Sequence, residues 1–302
     1  MSHSADSLKS IFFALGANAV IAGAKLFAAL HTGSNALLAE AIHSFADCGN
    51  QGLLLVGLKR ARRPPTPEHP LGFGKAIYFW SFIVALILFS MGGLFSIYEG
   101  WHKLEAHAGM ESPWLAVGIL VFSLLMEAVS LYGCLREVDK ARGRKSLWRW
   151  FRETRQSELL VVLGEDLAAL AGLLLALCAV LLAMYTGDPR YDAAGSIAIG
   201  VLLVVVAVAI GAEVKGLLLG QSVEPEARLA IRDYLEGREE VTGVFNLLTL
   251  QLGNDVMVAV KARMRHAAAV ADLMTDINRC EAGLKAAFPE VRWVFFEPDL
   301  DD

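Results

Sequence analysis

AEAIHSFADCGNQG, residues 39–52, sets a glutamate, a histidine, an aspartate, an asparagine and a glutamine in a stretch otherwise suited to lipid. Glu40, His43, Asp47 and then Asn50 or Gln51 recur every three or four residues, which stacks them along one face of a helix. The apolar run around them, 36–58, is long enough to cross about 30 Å of hydrocarbon. It is one of six such runs, the others at 11–30, 76–98, 114–135, 159–187 and 193–212. The chain therefore reads as a polytopic α-helical membrane protein with six transmembrane helices, and its polar stripe calls for a chemical reason.

Composition agrees. Hydrophobic residues make up 55% of the 302, charged residues only 20%, and mean hydropathy is +0.48. The third and sixth runs carry no charge; the other four each carry ionisable groups, which are costly at that depth, by about 2.5–3.5 kcal/mol on insertion scales. Basic residues set the orientation. Segment 59–75 has five (Lys59, Arg60, Arg62, Arg63, Lys75) and 136–155 has eight, whereas the intervening segments on the other side offer Lys103 and Arg190. Both basic segments and both termini are thus expected on the cytoplasmic side.

The start MSHSADSLKS resembles the front of a signal peptide, but the run behind it has full span length, contains Lys25 and lacks a convincing small-residue cleavage site; it is expected to be retained. Cys48, Cys134, Cys178 and Cys280 show no CxxC pairing and imply neither disulfides nor a thiolate metal cage. A net charge of −5 and a pI near 5.8 argue against nucleic acid as a partner.

After Gln221 the composition becomes that of a soluble domain. Helical periodicity in EPEARLAIRDYLEGRE, strands in VTGVFNLLTLQLG and VMVAVKARM around Gly253-Asn254-Asp255, a helix in VADLMTDINRCEAGLKAAF and a last strand in VRWVFFEPD predict an αββαβ, ferredoxin-like α+β unit. Residues 1–220 and 221–302 are the expected domains. Trp293, Phe295 and Phe296 are candidates for a dimer contact, with core packing as the ordinary alternative.

The fifth run adds SELLVVLGEDLAALAG, with Glu165 next to Asp166. Neighbours on a helix point about 100° apart, so only one is expected to share a cavity with a given partner, and Asp166 is taken as inward with Glu165 as its helper. If the second and fifth helices pack together, His43, Asp47 and Asp166 converge as one nitrogen and two carboxylates, a donor set for zinc, manganese, iron(II) or cobalt; Glu165, Asn50 or water would complete it. Interhelical hydrogen bonding alone would explain His43, but not three further acids when Lys25 is the only lysine or arginine in the spans. Glu127, alone in the fourth run, either pairs with Lys25 or carries a proton.

These features resemble the cation diffusion facilitators, proton-coupled exporters of zinc and related metals. The likeness rests on TGSNALLAEAIHSFAD, HPLGFGK followed by IYFWSF, the acidic fifth span and the αββαβ tail. The resemblance implies a transport site at His43 and Asp47 on the second helix and Asp166 on the fifth; donors that must lose protons to bind metal make His43 and Asp47 the expected coupling residues, with Glu127 as a further one if it carries a proton. The fourth family position falls on Val162, which binds no metal, so Glu165 is the nearest substitute. The HSxxDxxNQ string resembles the branch with animal mitochondrial zinc exporters, in which Asn50 and Gln51 line the site; Glu40 belongs to the same stripe. His69 stands without a second histidine, since Phe73 occupies that place, and His266 is the tail's only histidine, so little metal is expected there. A homodimer in a membrane, with the bacterial inner membrane as the expected one, follows from the same likeness. It implies a zinc/proton antiporter working by alternating access, with manganese, iron(II) or cobalt as lesser alternatives. The rivals are a metal receptor or scaffold that binds without transport, favoured by Val162, and an intramembrane metal hydrolase, which lacks HExxH or a nucleophile motif.

Overall fold

A computed structural model describes residues 18–106 and 113–301. The opening MSHSADSLKS and the first part of run 11–30 lie outside the described residues. From residue 18 to 32 the chain is helical (α1), followed by α2 (Asn35–Ala61), α3 (Ala76–Ile87), a π-helical segment (Leu88–Leu94), α4 (Phe95–Ala106), α5 (Pro113–Arg142), α6 (Leu147–Glu153), α7 (Ser157–Thr186) and α8 (Arg190–Leu219). Four helices among the described residues are long and apolar enough to cross a membrane: Ala76–Leu104, α5, α7 and α8. The polar stripe keeps α2 out of that group in spite of its 27 residues.

The α1–α2 corner shows why TGS stands where it does. Gly33 takes φ +66° and its N–H bonds Ala29 O at 2.9 Å, closing α1 in the left-handed conformation that glycine adopts without strain. Ser34 then caps α2, its Oγ accepting from Leu37 N at 3.2 Å while its hydroxyl donates to Asp192 Oδ1 at 2.7 Å, a buried tie to the start of α8.

The charge-free third run is not one uniform α-helix. Ser96 Oγ donates to Gly92 O at 2.6 Å, and Ser90 Oγ to Leu86 O at 2.8 Å, so hydroxyls serve carbonyls in and beside the π-helical turns. Small residues let this span meet α8 closely. A Cβ on Gly200 would lie 2.7 Å from Gly93 O, and one on Gly100 would lie 2.8 Å from Ala193 O.

The chain divides into two compact units. The first comprises the described residues up to Val56, Trp80–Lys145 and Glu158–Glu213. Its interior is largely alanine, leucine and valine, with buried Lys25, Glu40, His43, Asn50, Glu165, Asp166 and Asp192 among them.

The second unit gathers Gly57–Phe79, Ser146–Ser157 and Val214–Asp302. Within it, α9 (Pro225–Glu236), β1 (Val241–Leu252), β2 (Asp255–Met264), α10 (Val270–Ala287) and β3 (Val291–Pro298) follow the expected αββαβ order. β1 pairs antiparallel with β2, and β2 parallel with β3, the parallel step being made through α10. Ile231, Leu235, Val258, Val260, Cys280 and Leu284 fill the core between helices and sheet. Phe296 packs partly against that core, whereas Phe295 is 54% exposed on the outer face.

The basic segment 59–75 and the last part of the other, residues 146–155, belong to this unit. Gly253 N donates to Tyr78 Oη at 3.1 Å, and Arg155 Nε to Ser222 O at 2.7 Å. The short α6 inside the second segment has no counterpart in the sequence expectations; Ser146 caps it, accepting from Arg149 N at 3.3 Å. His69 is exposed, its ring 4.4 Å from that of Phe73, and His266 is exposed between β2 and α10.

Candidate functional site

Helical spacing brings the stripe of α2 to face α1, α5 and α7. A small cavity of about 30 Å³ is walled by Asn18 and Ile21 of α1, Ser44, Asp47 and Gln51 of α2, Glu127 of α5, and Val162, Glu165 and Asp166 of α7. That volume suits one small polar occupant.

Glu165 and Asp166 both line it, contrary to the expectation that only one would. The cavity is wide enough in angle to meet two neighbouring side chains because each is held from a different side. Asn50 Nδ2 donates to Glu165 Oε1 at 2.5 Å, and Ser130 and Cys134 of α5 lie beside the Asp166 carboxylate. Val162, at the apolar fourth position, stands in the same wall.

His43 is fully buried beside the cavity rather than on its lining. Its Nε2 is 3.5 Å from Asp47 Oδ2, and its Nδ1 faces the π-helical segment, where a Cβ on Gly92 would come within 3.8 Å. π-helical turns are rare and concentrate at functional sites. Glu40 is also outside the cavity lining: its Oε2 pairs with Lys25 Nζ at 3.3 Å. Lys25 thus takes Glu40 and Ser44 as its hydrogen-bond partners, where the sequence leaves a pairing with Glu127 as one of two alternatives.

Many of the polar atoms here are unsatisfied. Glu40 Oε1, both ring nitrogens of His43, Asp47 Oδ1, Asn50 Oδ1 and Asp166 Oδ2 are buried without a hydrogen-bond partner. A buried polar group without a partner costs about 1–3 kcal/mol, and more when charged, so a cluster of them invites a cation or protons. No group of three or more His, Cys, Asp or Glu among the described residues is drawn into a ready metal-holding arrangement.

Sequence reasoning passed over Asn18, Ser44, Ser130 and Cys134. The last two carried a signal, since they follow Glu127 by three and seven residues and so share its helix face.

The profile of the cation efflux transmembrane domain matches residues 11–219. The chain belongs to the cation efflux family, the cation diffusion facilitators. It is 33% identical over 247 residues to the mouse protein named proton-coupled zinc antiporter SLC30A9, mitochondrial, covering 81% of this chain and 44% of that one. It is 29% identical over 253 residues to metal tolerance protein C4 of Arabidopsis thaliana (82% and 54%), and 26% over 268 residues to the cation-efflux pump FieF of Serratia proteamaculans (88% and 83%). This member of the family spans about half the length of its mitochondrial and plant relatives. As a cation efflux protein with long apolar helices it is a multi-pass membrane protein, and the members of its family are transporters rather than enzymes.

Proposed function

We propose that this protein exports a divalent metal ion, zinc first among the candidates, in exchange for protons by alternating access. Its cargo site is His43, Asp47 and Asp166, with Glu165 replacing the ligand missing at Val162, and Asn50, Gln51 and Glu127 around it. The observation that carries the reading is the cluster of unpartnered buried donors on α2 and α7 around one small cavity. The names of the mouse and Serratia relatives support the cargo and the direction.

The chemistry of exchange follows from the donors. Carboxylates and imidazole coordinate a dication only after losing their protons, so loading releases protons and proton return expels the ion. His43 is suited to this as imidazole changes charge near neutral pH when unperturbed, and Asp47, 3.5 Å away, is the nearest group to receive or give the proton. Glu127 on the cavity wall is the further carrier. Two small-residue seams, between α8 and the third span and between α7 and α8, where a Cβ on Gly195 would overlap Ala179, are where helices can shift past each other.

The same reading has six spans with both termini cytoplasmic, residues 1–220 as the transport domain and 221–302 as a ferredoxin-like cytoplasmic domain, in a homodimer. The bacterial inner membrane is its proposed location.

Proteoliposomes with an acidic interior test it. Uptake of zinc, manganese, iron(II) or cobalt that depends on the pH gradient and disappears in Asp47→Ala and Asp166→Ala is the expected result. Saturable binding without flux would instead favour a receptor, and Val162 in the wall is the feature that would account for it.

A further inference from the structure

Lys25 is the one buried lysine or arginine among the described residues, and the transport scheme gives it no part. It is 1% exposed on α1, and its ammonium donates to Ser44 Oγ at 2.8 Å and to Glu40 Oε2 at 3.3 Å. Glu40 lies on the face of α2 that bears His43 and Asp47, one and two turns before them. Its second oxygen is unpartnered and rests on the bare backbone of α7 at Gly172, where a Cβ would overlap it. The ammonium is also near enough to His43, Asp47 and Glu127 to act on each through its charge.

Resting on the transport-site reading above, we propose that Lys25 is a positioning residue that withholds Glu40 from the metal. A buried carboxylate must be compensated by a proton, a cation or a metal ion. Lys25 fills that need for Glu40 whether the site is loaded or empty. The anionic donors open to the cargo are then Asp47, Glu165 and Asp166, and the ion is held loosely enough to leave. Without the ammonium, Glu40 presents a free carboxylate one turn from His43, with no side chain at Gly172 to confine it, and becomes an additional ligand.

A double-mutant cycle on the full chain, read by zinc affinity in detergent and by proton-driven flux in liposomes, tests this. Lys25→Gln should tighten zinc binding at least tenfold and slow turnover at saturating metal. Glu40→Gln should weaken binding, because it leaves the ammonium uncompensated beside the site. The double variant should return to within about threefold of the native affinity. A purely structural pair would move both single variants in the same direction, and that result, or a double variant that binds zinc as tightly as Lys25→Gln alone, overturns the proposal. Should Lys25→Gln not fold, the step from Glu40→Gln to the double variant decides: affinity must rise, and no rise refutes it. Asp47→Ala, run alongside, separates the two readings. Zinc binding that survives Asp47→Ala removes the transport site itself, whereas same-sign effects at Lys25 and Glu40 with binding lost in Asp47→Ala remove this inference alone.

Discussion

Buried acids are treated in opposite ways in the tail and around the cavity. In the tail, Asp276 receives two hydrogen bonds from Arg265, both at 2.7 Å, and Glu240 receives two from Arg238 at 3.0 and 3.1 Å. Among the described residues, no buried side-chain nitrogen or oxygen of the tail lacks a partner. Around the cavity of the first unit, Asp47, Asp166, His43 and Asn50 keep buried polar atoms without a partner. Satisfied carboxylates hold structure together; unsatisfied ones are kept at a cost to stability, which is the contrast the proposed transport site rests on.

The largest effect should come from breaking the unsatisfied side. Asp166→Ala is expected to reduce metal flux by about a hundredfold or more. It should leave the melting temperature of the metal-free protein unchanged or higher, since it removes a poorly compensated buried carboxylate. A thermal melt in detergent beside the flux assay checks both halves, and a large fall in melting temperature would place Asp166 with the structural acids instead.

Val162→Asp sharpens the contrast from the other direction. A fourth oxygen donor in the cavity wall should tighten zinc by about tenfold, or 1.4 kcal/mol. The variant should melt lower than the native chain without metal and recover when zinc is added, which calorimetry with and without zinc measures.

Asp276→Ala tests the satisfied side. Losing the carboxylate frees the Arg265 fork, so amide exchange in α10 and the end of β2 should quicken several-fold while zinc affinity stays within about twofold of native. Hydrogen–deuterium exchange of the intact chain reads the first and a zinc titration the second.

The smallest effect is expected with pH in the tail. The Arg265 hydrogen bonds hold the Asp276 carboxyl below its ordinary range against the burial that opposes them. A folded-state value below the unfolded one contributes stability that is present above the unfolded value and is lost as pH falls through the folded value. Exchange protection in α10 should therefore be flat above about pH 4, where free aspartate titrates, and decline below it.

The sequence made some of this legible and hid the rest for definable reasons. The stripe on α2 showed in the three-and-four spacing of Glu40, His43 and Asp47, and the tail's elements showed in their periodicity and in the turn at Gly253-Asn254. Periodicity reports which face a residue occupies but not what it meets. Glu40 looked like part of the site lining until Lys25 proved to be its partner, and Glu165, taken only as a helper of Asp166, lines the cavity in its own right with Asn50 bonded to it. The π-helical segment was invisible because LFSMGGL is apolar on every side, so a change in helical pitch alters no pattern. The cap at Ser146 was readable in principle, but the arginines around α6 masked so short a helix.

Gly74 and Gly253 touch backbone to backbone: a Cβ on Gly74 would overlap the Leu252 carbonyl, and one on Gly253 would lie 2.6 Å from Gly74 O. Neither can shrink to make room for the other, since both already have the smallest side chain. In terms of inheritance the two positions, far apart in the gene, act as one: a larger residue at either is barred by the other, and no second substitution at its partner can restore the contact.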